Sequence, residues 1–382
     1  MTLRVLHVVP AFYPATYFGG PIYSLYGLCN ALAALPGVDV RVLTSDSAGS
    51  RASQRLRITH NPQHLAPGYE VHYCRKLWGA SVAPGQFLRM PRMVDWADVV
   101  HVTAAYSPST IPALAACRAL GKPLVWSPRG AFQRWRSTTR SKLKDAWDSL
   151  CRSLLAKSST VLHVTSPEEA EATRIRMPGI AVAVVPNGVD VVEASASRLW
   201  RPGGTLRLLY LGRLHPIKGI ENLLRALAAL RGFPFTLRVC GSGDAAYARS
   251  LARLAGSLSI QERVSFAGEI GPRDKAGEFD TADVCVLPSH SENFGMTIAE
   301  SLAHGVPVIA SRGTPWASVE DQGCGLWVDN DPDALSSAIR ALANQDLRAM
   351  GERGRTWMAK DFTWNAVATR MRDCYASLAP GG

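Results

Sequence analysis

Short apolar runs rich in β-branched residues recur along the whole chain, and a helical pattern follows most of them. In the first half they read LRVLHVV, VDVRVLT, DVVHVT, KPLVWS, TVLHVT and AVAVVP. In the second half they read LRLLYLG, FTLRVCG, RVSFAG, DVCVLP, VPVIAS and GLWVD. Apolar strands with little polar alternation belong to parallel sheets covered on both faces, and the intervening helices supply the cover. The first of those helices shows the pattern: Ile22, Leu25, Tyr26, Cys29, Leu32 and Ala33 share one stripe at a spacing near 3.6 residues. Further helical stretches lie at 107–120 and 136–157. The alternation pauses once, at ASASRLWRPGG (194–204), whose small residues, Pro and Gly read as a linker. At 382 residues the chain is too long for one ordinary core. The expected fold class is α/β: two doubly wound, Rossmann-like domains, 1–193 and 205–362, joined by that linker. Ligands of such sheets bind beyond the carboxyl ends of the strands, and two sheets facing each other make a cleft.

With 47% hydrophobic and 19% charged residues the chain reads as globular, not disordered. No run approaches the ~18 apolar residues of a membrane span. The opening MTLRVLHVVP reads as a strand, not a signal peptide. The eight cysteines are scattered singly with no C-x-x-C, which suits thiols in a reducing cytosol and excludes a zinc knuckle or disulfide framework. The net charge of +11 is uneven: residues 1–195 hold 21 Lys/Arg against 12 Asp/Glu, the rest 21 against 19. The basic excess is densest from Arg129 to Lys157. It is either a solvated helix face or a field for something anionic: lipid head groups, a pyrophosphate or nucleic acid.

Four stretches carry the chemistry. LGRLHPIKG follows the first strand of the second domain, so Arg213 and Lys218 leave a strand end and enter the next helix. A forked guanidinium and an ammonium there make a seat for a pyrophosphate. SENFGMTIAE also follows a strand, and its Phe294, Gly295 and Met296 open a helix whose first N–H groups invite an anion. Glu292 and Glu300 flank that start, placed to accept hydrogen bonds from sugar hydroxyls and a ribose diol. CGSGDAA fits G-x-G-x-x-A, with Glu262 downstream. Gly241 and Gly243 there mark either a close approach to a ligand or a tight turn, because a dinucleotide fingerprint belongs to the first strand of a domain. FGGP offers the backbone of Gly19 and Gly20 at the mouth of the first domain, for phosphate or simply for a turn.

Taken in order, these stretches resemble the GT-B glycosyltransferases of the large retaining family 4. SENFGMTIAE looks like that family's E-x7-E element and GRLHPIKG like its phosphate loop. VPNGVD (185–190) and FTW (362–364) are similar to two further landmarks. The resemblance covers essentially the whole chain. It implies that the terminal helix, 363–382, crosses back to the first domain. It also implies Arg213, Lys218 and Glu292 as the catalytic set. Gly19, Gly20, Asn187, Gly241, Gly243, Phe294, Gly295, Met296 and Glu300 would hold the donor. One departure stands out: the family's His-Gly after the strand KPLVWS is SPRG here, with Arg129 beside Gly130. That variant resembles enzymes that build bacterial surface polysaccharides. Arg129, His101 and Thr103 then meet the sugar or the acceptor, or else His101 is a packed core histidine and Arg129 a structural one.

The resemblance implies a retaining, metal-independent hexosyltransferase using a UDP- or GDP-sugar, with no cofactor. Its acceptor would be a glycan, often lipid-linked, and an anionic membrane surface would be a partner, the protein being cytoplasmic or peripheral on the inner face of the membrane. No D-x-D-like pair sits at a strand end; DNDPD (329–333) reads as a loop opening a helix at Pro332. Two rival classes follow from the same residues. A nucleotide-dependent oxidoreductase would rest on GSGDAA and leave Glu292 and Glu300 idle. A basic nucleic-acid module would rest on the 129–157 run with Phe132, Trp135 and Trp147 for stacking, and is disfavoured because the other motifs would then have no work.

Overall fold

A computed structural model describes residues 2–133, 141–192, 198–271 and 274–379. The chain divides into two compact units: Met1–Gly188 with Trp364–Gly382, and Val189–Thr363. The first holds strands β1 (Leu3–Val8), β2 (Val38–Ser45), β3 (Gln63–Leu65), β4 (Tyr69–Cys74), β5 (Val99–Thr103), β6 (Leu124–Ser127), β7 (Thr160–Val164) and β8 (Ala181–Val184). Helices α1 (Gly20–Ala34), α2 (Pro84–Trp96), α3 (Thr110–Ala119), α4 (Ser141–Leu154) and α5 (Pro167–Arg176) run between them. The strands form one sheet in the order β3-β4-β2-β1-β5-β6-β7-β8. All pairs are parallel except the short edge strand β3.

Successive residues of these strands enter two cores, as a sheet covered on both faces requires. Leu6, Val8, Val100 and Val102 pack with Met90, Val94 and Leu114 on one side. Val5, Val40, Val42 and Val99 pack with Leu25, Leu28 and Leu32 on the other.

The second unit repeats the plan. Its elements are β9 (Leu206–Leu211), α6 (Ile220–Ala229), β10 (Phe235–Cys240), α7 (Ala245–Ser257), β11 (Val264–Gly268), α8 (Lys275–Thr281) and β12 (Val284–Leu287). There follow α9 (Met296–Ala303), β13 (Val308–Ser311), α10 (Ser318–Asp321), β14 (Gly325–Val328), α11 (Pro332–Ala343) and α12 (Leu347–Asp361). The sheet order is β11-β10-β9-β12-β13-β14, parallel throughout. The DNDPD loop opens α11: Asp331 accepts from the amides of Asp333 and Ala334, with Pro332 as first helical residue. The last helix, α13 (Trp364–Ala376), belongs to the first unit, where Val367, Ala368, Met371 and Tyr375 join the core of α1.

Three features depart from the sequence reading. β3, β4 and α2 are additional elements: β4 alternates polar Glu70 and His72 with buried residues, and α2 carries Pro91 in its interior, a residue that ordinarily argues against a helix. Residues 193–197 lie outside the described residues, but 198–204 are not a free linker. Arg198 donates to the carbonyls of Gly305 (2.9 Å) and Phe279 (3.0 Å), and the Arg201 amide donates to Asp283 (3.0 Å). The division falls after Gly188, since Val189 packs in the second core and donates to Phe362 O at 2.8 Å. Finally, the helical stretch read at 136–157 buries no continuous apolar face among the described residues. Trp135 lies outside the described residues, and Leu143 and Leu150 are 70% and 47% exposed. Trp147 turns inward and donates its indole N–H to Ala105 O (2.9 Å), beside buried Cys151.

The FTW landmark has a packing explanation. The Trp364 indole lies between two glycines of the first unit: a Cβ on Gly27 would sit 2.3 Å from the ring, and one on Gly188 likewise 2.3 Å. Gly27→Ala is therefore expected to destabilise the first unit by ~1–3 kcal/mol, as overpacking does. A thermal unfolding midpoint equal to that of the parent would show that the indole has room to move.

Candidate functional site

In the second unit three loops meet at the carboxyl ends of neighbouring strands. The loop after β9 lies directly on the loop after β10. The Gly212 amide donates to Cys240 O (2.9 Å) and the Leu214 amide to Ser242 O (2.8 Å). This contact accounts for CGSGDAA: a Cβ on Gly241 would stand 1.9 Å from Gly212 O, and one on Gly243 2.0 Å from Leu214 O. Their missing side chains admit backbone to backbone, so the packing alone explains both glycines.

Past Leu214 the chain makes a short 3-10 turn, Pro216–Lys218, with the His215 imidazole accepting from the Ile217 amide (3.2 Å). Burial, then Arg213 and Lys218, lower the His215 pKa, which keeps that acceptor nitrogen free of a proton near neutrality. Gly219 ends the turn at φ 62°; a Cβ there would lie 2.2 Å from Pro288 O. The third loop, after β12, is clasped to the turn by the His290 amide donating to Ile217 O (2.7 Å).

These clasps bring Lys218 and Glu292 together from sequence positions 74 apart. The Lys218 ammonium pairs with the Glu292 carboxylate, both largely buried. The same Glu292 oxygen accepts from the Ser289 hydroxyl (2.7 Å), and the Glu292 amide donates to Gly313 O (2.8 Å). Arg213 is exposed, and its guanidinium makes no ion pair among the described residues.

The E-x7-E stretch then opens α9. Gly295 caps it at φ 79° with no side-chain acceptor, so the Met296 and Thr297 amides are open to an anion. Thr297 ties this end to β9 by donating its hydroxyl to Leu211 O (2.9 Å). Phe294 is anchored by its ring, packed against Trp316 and Phe362, while its carbonyl accepts from the Trp316 indole. Glu300 pairs with Lys275 at 2.5 Å. Nothing in the local sequence at Lys275 signals that partnership; only the packing of α8 beside α9 creates it.

In the first unit, Gly19 sits at φ 70° ahead of α1. Fewer amides are bare there than the sequence suggests: Phe18 donates to Ala15 O, Gly19 donates to Thr16 O, and Pro21 has no N–H. Among these four residues, Gly20 alone keeps its amide for a ligand. His101 is fully buried. Its imidazole lies 2.6 Å from the Tyr375 hydroxyl and 2.6 Å from Ser127 Oγ, which in turn lies 2.7 Å from His163 Nδ1. It is the packed, hydrogen-bonded histidine of the two alternatives. Thr103 is buried too, its hydroxyl without a partner among the described residues. Arg129 adopts φ 55° and donates to Asn187 Oδ1 at 2.7 Å, so SPRG and VPNGVD meet through these two side chains. Gly130 donates its amide to buried Glu169, which also accepts from the Thr165 amide and hydroxyl at 2.8 and 2.9 Å.

His7 was not singled out in the sequence. It packs against His101 with ring centroids 4.8 Å apart and the planes tilted by 36°, and neither ring nitrogen has a hydrogen-bond partner among the described residues. Among the described residues, no group of three His, Cys, Asp or Glu gathers as a metal site would need, and no helix is long and apolar enough to cross a membrane.

Burial, with Arg129 adding to it, pushes the pKa of both His7 and His163 from 6.5 down to about 3. Between those values the unfolded chain binds more protons than the folded one, so stability rises with pH. It is complete above pH 6.5 and is lost as pH falls toward 3. Each histidine contributes a slope of ~1.4 kcal/mol per pH unit in that window. Urea unfolding of the parent and His7→Gln from pH 4 to 7 is expected to give the variant the shallower dependence. Parallel curves would mean that His7 is protonated in the folded state.

Comparison with known proteins bears on the whole chain. Residues 18–193 match the family model Glycosyltransferase Family 4, and residues 205–345 match Glycosyl transferases group 1. D-inositol 3-phosphate glycosyltransferase of Corynebacterium jeikeium is 32% identical over 257 residues, 61% of this chain and 61% of that protein. The match thus spans about three fifths of that relative's length. Sucrose-phosphate synthase from Thermosynechococcus elongatus superposes with TM-score 0.75 at 23% identity, covering 98% of this chain and 99% of the other. Anabaena Alr3699/HepE, solved in complex with UDP-glucose, superposes with TM-score 0.71 at 17% identity, covering 98% and 100%. At these identities the likeness establishes the fold, the two-domain GT-B class.

Proposed function

We infer, for a chain that belongs with the family 4 and group 1 glycosyltransferases by its two domains, that it transfers a hexose-type sugar from a nucleoside diphosphate to a glycan hydroxyl with retention of configuration. The observation that carries this is the convergence, on one strand-end cluster, of the Lys218–Glu292 pair, exposed Arg213 and the open amides at the head of α9. Cations and helix amides suit a diphosphate, and carboxylates suit hydroxyls. The Anabaena neighbour's complex with UDP-glucose supports a donor of that kind.

In this reading the leaving diphosphate gains negative charge in the transition state, and Arg213, Lys218 and the amides of Met296 and Thr297 stabilise it. Glu292 orients the sugar and Glu300 accepts from the ribose. A diphosphate oxygen takes the acceptor's proton as the hydroxyl attacks from the same face. The positive charge comes from the chain itself, so no metal is required.

Lys218→Ala and Arg213→Ala are each expected to slow transfer by on the order of 10²-fold, measured as release of UDP or GDP from a panel of nucleoside-diphosphate hexoses. EDTA should leave the parent's rate unchanged. Normal turnover in both variants, or a loss with EDTA reversed by Mg²⁺, would remove this assignment.

The acceptor in this proposal is lipid-linked and reached at an anionic membrane. Support comes from α4, which exposes Leu143 and Leu150 beside Lys142 and Arg152. Apolar side chains ringed by cations suit a lipid interface, at ~1 kcal/mol per well-placed cation. Of the further cations of the 129–157 run, Arg136 and Arg140 lie outside the described residues and Lys144 sits over the Tyr106 ring at 4.9 Å. The protein should co-sediment with vesicles containing phosphatidylglycerol, less so as salt rises. A Lys142→Gln, Leu143→Gln, Leu150→Gln variant should stay in the supernatant; co-sedimentation like the parent's would detach α4 from the membrane role.

A further inference from the structure

The strand-end loops of the first unit build a second basic site, remote in sequence from the 129–157 run. A groove of about 620 Å³ opens between the loop after β2 and the end of β4, lined by Arg55, Arg57 and Arg75 with Asp46. None of the three arginines forms an ion pair among the described residues. Asp46 is engaged elsewhere, accepting from the Lys76 amide at 2.7 Å. The groove therefore carries an excess of positive charge in the form of guanidinium forks, the group best matched to planar or tetrahedral oxyanions.

The loop that presents these arginines is held from beneath. Lys76 is fully buried, and its ammonium donates to the carbonyls of Gly49 (2.9 Å), Arg51 (2.9 Å) and Gln54 (2.8 Å) and to Ser47 Oγ (3.2 Å). A buried ammonium is tolerated only when such acceptors surround it. Here it fixes the 47–54 loop from inside. The Leu56 amide donates to Asp46 O (2.7 Å), and Asn61 bridges both backbone groups of Tyr73 at 2.7 and 3.0 Å. Two aromatic rings, Tyr17 (62%) and Trp78 (61%), are exposed on neighbouring loops outside the lining of the groove. Tyr17 reaches Ser50 (3.4 Å), and the 75–82 loop is joined to it by Ser47 donating to Ala80 O (2.5 Å).

We propose that this groove is an acceptor subsite for an acidic saccharide, its arginines binding a carboxylate or phosphate oxyanion. This rests on the glycosyltransferase reading above for the word acceptor. The binding chemistry stands on the groove itself. It lies past the carboxyl ends of β2 and β4, the edge at which parallel α/β sheets bind ligands.

Isothermal titration of the full chain tests it with four probes: tetragalacturonate, its methyl ester, maltotetraose 6-phosphate and maltotetraose. The expected result is that at least one acidic probe binds on the order of tenfold or more tightly than its neutral counterpart. Binding of the uronate alone or of the phosphate alone identifies the oxyanion; binding of both leaves the fork general. Arg55→Gln, Arg75→Gln should lose that preference, while a parallel UDP titration matches the parent and reports an intact second unit. Equal binding of acid and neutral probes, no binding of either acid, or a double variant that binds like the parent overturns the subsite. UDP failing to bind the parent while the acids do bind would overturn the glycosyltransferase reading and leave the groove standing.

Discussion

A parallel strand cannot turn straight back. Each must be followed by a crossover that returns the chain to the same edge, so all the carboxyl ends, and all the loops leaving them, collect on one side of the sheet. Nearly everything chemical in this protein follows from that constraint. Arg213 and Lys218 leave β9, Glu292 and the head of α9 leave β12, and Arg129 leaves β6. The loops after β9 and β12 are far apart in sequence, yet the sheet of the second unit delivers them to a common edge. The two-sided apolar cores keep the strands rigid enough to hold charged loops at fixed separations.

Glycine does a specific job where those loops touch. At Gly241 and Gly243 the loop after β10 lies against the backbone of the loop after β9, and any Cβ would strike a carbonyl oxygen. The phosphate-loop candidate is therefore supported by a neighbouring loop with no side chain to intervene. Gly219 and Gly295 combine positive φ with the turns that deliver Lys218 and the α9 amides. Trp364 between Gly27 and Gly188 is the corresponding device in the first unit, seating the last helix against α1.

Four charged groups of the second unit are held in two pairs whose members come from different elements. Lys218 with Glu292, and Lys275 with Glu300, are largely buried, where an unpaired charge would be strongly unfavourable. Such pairs orient both members at once. A cation and a carboxylate that already neutralise each other can be redistributed over a ligand bearing both phosphates and hydroxyls without leaving either buried charge alone. The first unit is organised differently: buried His101 and His163 are linked through Ser127, and His101 also reaches Tyr375, while Arg55, Arg57 and Arg75 lie outside on loops.

By itself the sequence determined the two doubly wound domains, because apolar strand runs and helical stripes are local patterns set by the period of each element. It also singled out Arg213, Lys218, Glu292, Glu300 and the opening of α9 as candidates, since residues at strand ends and helix starts are marked by their neighbours. Tertiary structure alone decided what those residues touch: that Lys218 meets Glu292, that Lys275 meets Glu300, and that Arg129 meets Asn187. It also decided that His101 is enclosed and that Gly241 and Gly243 lie against the backbone of the loop after β9. It revealed the edge strand β3 and its neighbour β4, and the groove that Lys76 supports from within. The physical reason is common to all of them. Pairing, burial and close approach depend on distances between residues far apart along the chain, and no local period encodes those distances.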